Sequence, residues 1–404
     1  MQQEPPKTPS QTPPGSGNVV QLPVPRAPSP GDGLFSAINP TFQQYWDPTS
    51  ARLLQECPEK YHLRQVEGWH APGESVHLEF GRAAGEGLEE FHRAIIEDGA
   101  DHETALRRGM RRALESTWKD GRPTLGSFED VWRCTGVVKY TNPKGNTAKC
   151  PYSHKGKLFP APGPDICSCG SPTATSREWF PTMPGKDRFA LMRLLVWYGE
   201  EIKGGALQPV SIEMVDPDAP EEPVHRALVE VPFKVPFILT PDGEQVYLTG
   251  WFDAVKRLGD EVLVTDYKTT KKPLGTMYFS QYAPNPQVDI YDLVADGFLK
   301  AKGLPYAGVV IEAIQTLVNG VRFGFRVYKN GPENRNELTR ELSYYISMAW
   351  QYAKGNWWPK NRSHCAMCEF KGVCSAPPSS RPHILAGNFK RYRWNPLTRQ
   401  QEPL

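Results

Sequence analysis

The chain has 404 residues, and 47 Lys+Arg against 45 Asp+Glu leave a formal charge of +2, so no global charge points to a polyanion and such a partner must be met by local patches. At roughly 150 residues per domain, this length allows two or three units, or one large domain with insertions, and an ample core. The 35 Gly and 40 Pro exceed the ~12% that the pair averages, while the absence of any apolar run near the ~18 residues of a spanning helix, and of an apolar signal segment in MQQEPPKTPSQTPP, leads us to expect a soluble cytoplasmic chain, not a membrane protein.

Residues 1–33 are Pro, Gln, Ser and Gly with few aromatics, a composition that buries too little apolar surface to offset its ordering entropy, and a disordered tail is expected. Asp47, Thr49 or Ser50 then caps a short helix leading to Cys57. Phe80 to Glu97 and Asp101 to Trp118 carry helical periodicity, the second stretch opened by Asp101 as cap, and both are expected to flank a sheet. From Pro123 to Pro184 the periodicity fails and cysteines accumulate, which marks residues 123–184 as an insertion without a large core of its own. Helical spacing resumes over Lys186 to Lys203. Four strand-like runs follow, PVSIEMV, HRALVEVPFKVPF, VYLTGWFDAVKRL and EVLVTDYKTT, separated by turn signals such as Pro241-Asp242-Gly243 and Gly259-Asp260, and they predict an antiparallel meander. A helix over Gln287 to Leu299, strands over Tyr306 to Leu317 and Val321 to Tyr328, and a helix over Glu337 to Lys354 complete the order. The expected class is α/β, a central mixed sheet flanked by helices over residues 40–375, followed by a basic aromatic tail at 376–404.

Asp253 lies in one strand of the meander, and Asp266 and Lys268 end the next. The hairpin brings them together, and a spacing of two puts Asp266 and Lys268 on one face of their strand. Two converging carboxylates repel unless a hard cation such as Mg2+ or Mn2+ lies between them. A lysine beside that ion can orient water and offset charge on a phosphorane, which is the chemistry of phosphodiester hydrolysis.

The succession GWFDAV, hairpin, VLVTDYKTT and Gln287-x-x-x-Tyr291 resembles the RecB-type branch of the PD-(D/E)XK nucleases, whose pattern is a Gly-x-x-Asp strand, an Asp-x-Lys strand and a Gln-x-x-x-Tyr helix. The resemblance implies a restriction-endonuclease-like core and a metal-dependent DNA exonuclease acting on single strands or duplex ends in recombination, repair or phage genome processing, with a helicase or recombination protein as partner. It implies Asp253, Asp266 and Lys268 as catalytic residues, with Gln287 and Tyr291, one turn apart, holding the scissile strand. The phrases WDPTS, CPEKY and NPQVDIY look most like bacteriophage proteins, which would place the chain in the cytoplasm of a host cell. In FGRAAGEGLEEFHR, Gly85 stands where the family carries a histidine. Glu89 matches the family's acidic residue and is taken as a further catalytic residue, and His92 lies seven residues on from Gly85, so either could reach the metal. That departure sustains a second reading, a catalytically weak or inactive nuclease-fold protein that binds DNA or acts as a scaffold.

Cys365-x2-Cys368-x5-Cys374 is a strong metal signal, since unligated cysteines rarely cluster so closely. The resemblance extends to an iron–sulfur subgroup that includes AddB and the CRISPR-associated exonucleases, and it implies Cys57, which precedes Pro58, as the fourth ligand of a [4Fe-4S] cluster. Four thiolates on zinc remain the alternative. The insertion carries Cys134, Cys150, His154, Cys167 and Cys169. Four of these five would make a zinc site, and the sequence favours Cys150, His154, Cys167 and Cys169, with unligated thiols as the alternative. In the tail, Lys390, Arg391 and Arg393 alternate with Phe389, Tyr392 and Trp394, a combination suited to unpaired nucleic acid or to a solvated extension.

Overall fold

The computed structural model describes residues 33–403, apart from 74, 136–138, 142–146, 151–158, 161–162, 168 and 217–218. The tail expected over 1–33 therefore lies, except for Gly33, outside the described residues.

Strand β1 (Tyr45–Trp46) runs into helix α1 (Pro48–Glu56), where Pro48 fills a position that needs no N–H and Asp47 accepts from Ser50 N at 2.7 Å. Helix α2 (Val76–Ile96) is capped by Ser75, and α3 (His102–Ser116) by Asp101. These two helices touch backbone to backbone: a Cβ on Gly109 would stand 2.7 Å from Gly87 O. Helix α4 (Arg188–Gly204), capped by Asp187 through Ala190 N at 2.9 Å, packs onto them around Leu88, Phe91, Leu191, Leu194 and Tyr198.

The central sheet holds seven strands among the described residues. After β1 come β2 (Leu207–Pro209), β3 (Val229–Leu239), β4 (Gln245–Leu258), β5 (Glu261–Thr270), β6 (Tyr306–Leu317) and β7 (Gly320–Tyr328). Their order is β1-β4-β5-β6-β7, with β2 and β3 also paired to β4. Strands β3, β4 and β5 form antiparallel hairpins, β5 and β6 run parallel, and β6 and β7 are antiparallel, so the sheet is mixed. The parallel crossover carries helices α5 (Thr276–Ser280) and α6 (Pro286–Lys300). Strand β6 is buried along nearly its whole length, as a strand covered on both faces must be. One layer over it comprises α1, α6 and α7 (Pro332–Lys354); the other comprises α2, α3 and α4. No helix among the described residues is long and apolar enough to cross a membrane.

Three regions differ from the sequence expectation. The meander breaks at Leu228: Ser211–Asp216 and Ala219–Ala227 pair only with each other, while Leu228 bridges Val210 and Val255 through backbone hydrogen bonds and lets β3 begin afresh. The insertion is more regular than expected, with Gly126–Cys134 paired along its length to Thr173–Pro181 and, at one end, to Phe159–Pro160. The tail is folded onto the chain, with Lys390, Arg391 and the stretch 398–402 exposed. Strands Lys390–Asn395 and Gln400–Pro403 join Trp69–His70, Arg391 lies 5.4 Å over Trp69, and Arg393 lies 4.4 Å over Phe35.

Candidate active site

Strand β4 reaches the site through a close contact that only glycine permits. A Cβ on Gly250 would stand 2.6 Å from Phe233 Cζ, so the Phe233 ring lies against bare backbone and stacks on Phe252 at 4.7 Å. Tyr291 of α6 meets Phe252 edge-on at 5.2 Å. Its hydroxyl donates to Trp251 O at 2.7 Å and receives from Gln287 Nε2 at 3.2 Å. Asn285 caps α6 by accepting from Gln287 N, which fixes the first turn and with it the Gln287 side chain.

Beyond the last registered pair of the β4–β5 hairpin, Ala254 with Thr265, the strands part and Asp253 and Asp266 occupy the opening. Asp253 Oδ2 accepts from Tyr267 N at 2.7 Å. Asp266, fully buried, accepts at Oδ1 from Lys268 Nζ at 2.8 Å and from Gln287 Nε2 at 2.9 Å. Lys268 Nζ also donates to Gln287 Oε1 at 3.1 Å, closing a ring of three side chains. Asp266 Oδ2 lies 2.6 Å from Lys268 Nζ, so both oxygens of this carboxylate face the ammonium. Burial and the charge of Asp266 raise the pKa of Asp253 to about 7, against the opposing pull of Lys268 and the Tyr267 N–H. For Lys268, burial alone would lower the pKa, but Asp266 and Asp253 reverse the sign and hold it above the ordinary lysine value. The result is a carboxylate pair short of positive charge with one firmly protonated lysine.

A family model described as the PD-(D/E)XK nuclease superfamily matches residues 175–375. This stretch is a PD-(D/E)XK nuclease superfamily domain. No curated protein matches. Among solved structures, one titled "Crystal structure of SSO0001" is 15% identical, with a TM-score of 0.23, covering 37% of this chain and 59% of that one. The chain thus spans less than two thirds of that relative, and so low a TM-score carries no argument.

Asp253, Asp266, Lys268, Gln287 and Tyr291 all lie inside the superfamily match. Glu89 lies outside it, on α2. There it pairs with Arg93 at 2.8 Å, and burial raises its pKa against the pull of Arg93, Arg399 and Arg112. Among the described residues, Glu89, Asp253 and Asp266 do not converge as a single-ion ligand set. His92 is buried, 2.9 Å from Tyr198 Oη, in the layer that also holds the Lys256–Glu312 ion pair, and burial pushes its pKa down to about 3. Gly85 faces open space, with nothing within 4 Å of a Cβ placed there.

Two groups near the acidic site escaped the sequence reading. Tyr278 and Tyr282 of the α5 region approach hydroxyl to hydroxyl at 3.1 Å, and the charges of Lys268 and Asp266 act on them. Their only sequence signal is the i, i+4 spacing in YFSQY. Lys186 is almost fully buried, 3.4 Å from Thr269 O and 5.4 Å over the Phe80 ring, and burial together with Lys271 lowers its pKa to about 8. A lysine before a helix cap reads as surface, so nothing in the sequence marks it.

The distant cysteines meet. Asn361 N donates to Cys57 Sγ at 3.4 Å, and Cys365 Sγ donates to Asn361 O at 3.8 Å. Cys368 and Cys374 pack with Leu63, Phe370, Val373 and Leu385, where burial, with a further push from the charge of Cys57, raises both thiols. This set is wider than a single-ion site. In the insertion, Cys134, Cys150, Cys167 and Cys169 bring their Sγ atoms within 4.8 Å of one another. Cys134 joins three of the favoured ligands there, while His154 lies outside the described residues. Hydrogen bonds from the Ser171 side chain and backbone lower the Cys169 thiol to about 6.

Proposed function

We propose that the chain is a metal-dependent DNA exonuclease of the RecB type. The observation that carries this reading is the closed contact of Asp266, Lys268 and Gln287 beside Asp253, because no packing need explains a buried carboxylate facing a half-buried one at a point where two strands part. Asp253 and Asp266 would hold Mg2+ or Mn2+, and the acceptor-rich, charge-deficient pair fits such a hard cation. When bound, the ion supplies a Lewis acid for the phosphoryl oxygen and lowers the pKa of a water. Lys268, kept protonated, stabilises charge growing on the phosphate and orients the attacking water. Gln287 fixes Lys268 and Asp266 relative to each other, and Tyr291 anchors Gln287 to the backbone of Trp251. Recombination, repair or phage genome processing, with a helicase-type partner, is the setting that the sequence resemblance supports.

Cys57, Cys365, Cys368 and Cys374 are proposed to hold a [4Fe-4S] cluster. The donor set fits: the thiolates of a four-iron cluster bind separate irons and stand farther apart than the ligands of one ion. Joining Cys57 to the trio that begins at Cys365 closes a loop of about three quarters of the chain, which restricts the unfolded state. Protein purified without oxygen should contain about four iron atoms per chain, and Cys57→Ser should lose them as completely as Cys368→Ser.

Exonuclease action is tested with 5′-labelled linear DNA and covalently closed circles of the same sequence in Mg2+ or Mn2+. Progressive shortening of the linear substrate with the circles intact is expected; cut circles would make the enzyme an endonuclease. The second reading, a nuclease-fold scaffold without turnover, rests on Gly85 and on the engagement of Glu89 by Arg93. It predicts DNA binding with neither substrate cut.

A further inference from the structure

We propose that Cys134, Cys150, Cys167 and Cys169 form a tetrathiolate zinc site that closes the insertion and is independent of the nuclease chemistry.

The separations select the ligand. Cys134 Sγ lies 3.4 Å from Cys169 Sγ, Cys150 Sγ lies 3.5 Å from Cys167 Sγ, and all four fall within 4.8 Å of one another. A tetrahedral ion with Zn–S of ~2.3 Å sets its sulfurs ~3.8 Å apart, inside that range. Disulfide bonding would need ~2.05 Å within each pair and gives no reason for two pairs to converge on one centre. An iron–sulfur cube needs more room than four sulfurs this close allow. The choice among single ions falls on zinc, since thiolates are soft donors and a four-sulfur tetrahedron suits it.

The positions of the four cysteines support a structural site. Cys134 ends the long Gly126–Cys134 strand, Cys150 directly follows the short Thr147–Lys149 strand, and Cys167 and Cys169 lie in a tight loop closed by Cys167 N to Ser171 O at 2.8 Å and Gly170 N to Cys167 O at 2.8 Å. Gly170 takes φ +83, the conformation that such a turn demands and that only glycine enters at little cost. Three of the four cysteines are buried, and among the described residues Trp132 is the large apolar side chain of their cluster, donating from Nε1 to Pro164 O at 2.7 Å. Residues 123–184 lose hydrophobic periodicity and accumulate Gly, Pro and Cys, and a segment of that composition needs a staple. The set is complete with four sulfurs, so His154 is not required. Binding displaces any thiol protons into solvent as the thiolates take the ion, with no change in oxidation state.

The test is metal analysis of the full-length chain purified in the absence of added metal, with zinc and iron counted separately. One zinc per chain is expected in the wild type and in His154→Ala. Cys134→Ser and Cys169→Ser should lose zinc and keep iron, and Cys368→Ser should do the reverse. Because a zinc-free variant could fail to fold, Co2+ exchanged into the wild-type chain supplies a second readout: the absorption of tetrahedral cobalt with sulfur-to-metal charge transfer is expected. Zinc retained by Cys134→Ser and lost by His154→Ala would overturn the ligand set. Iron in place of zinc, or a wild-type chain with no metal and thiols lost to disulfides, would overturn the site.

Discussion

The backbone N–H of Tyr267 donates to Asp253 Oδ2 at 2.7 Å, tying the carboxylate of β4 to β5 beside Asp266. Held there by burial and faced by the charge of Asp266, Asp253 titrates at about 7. An unfolded aspartate titrates near ~3.9, so between these values the folded chain keeps a proton that the unfolded chain has lost. Stability without metal therefore falls as pH rises through this window, by on the order of 2–4 kcal/mol for this group. Urea unfolding from pH 4 to pH 8 should show that loss in the wild type relative to Asp253→Asn. Added Mg2+ or Mn2+ should restore stability at the upper end in the wild type alone.

Gln287 contributes position, not charge. It donates to Asp266 and accepts from Lys268, so its loss frees both groups without removing a ligand. Gln287→Ala should lower kcat by roughly 10- to 100-fold, the scale of a misplacement near 1 Å, with KM for DNA little changed. A loss confined to KM would assign Gln287 to DNA binding.

Gly250→Ala drives a methyl into the Phe233 ring, which stacks on Phe252 and meets Tyr291. Overpacking of this kind costs about 1–3 kcal/mol. Chemical denaturation should show that decrease, and turnover should fall further than stability alone accounts for, because the ring carries the Tyr291 side of the site.

His92→Ala removes a buried partner of Tyr198 in the layer that holds Lys256 and Glu312. It should destabilise by about 1–3 kcal/mol while leaving the metal concentration for half-maximal cleavage unchanged. Gly85→His meets open space and should fold with wild-type stability. A dead but fully stable His92→Ala would place that histidine in the site.

The elements with strong periodicity or caps were legible in the sequence. Asp47 and Asp101 each cap the helix that follows them, and the hairpin turns at Gly243 and Gly259 lie at positive φ. The proximity of Asp253, Asp266 and Lys268 was legible because a hairpin converts short spacings into contact, while Gln287 and Tyr291 were singled out by the family resemblance. What was hidden depends on long-range packing. Leu228 ends one strand pair and starts another through contacts with residues distant in sequence, and Lys186 is buried by partners on α2 and β5. The alternating cations and aromatics of the tail suggested nucleic acid, whereas Arg391 and Arg393 stack on Trp69 and Phe35 of the same chain. The sequence favours His154 over Cys134 as a ligand, whereas the strand end places Cys134 with Cys150, Cys167 and Cys169.

The most direct test of the account compares the wild-type chain with Asp266→Asn in cleavage of end-labelled single- and double-stranded DNA, with Mg2+, with Mn2+ and with chelator, after circular dichroism and iron content have shown both chains equally folded. The account predicts metal-dependent degradation by the wild type, none with chelator, and a loss of at least roughly 1,000-fold in Asp266→Asn, which removes a charge from the pair that binds the ion. Cleavage by Asp266→Asn at the wild-type rate, or a folded wild-type chain that cuts neither substrate with either metal, would contradict it.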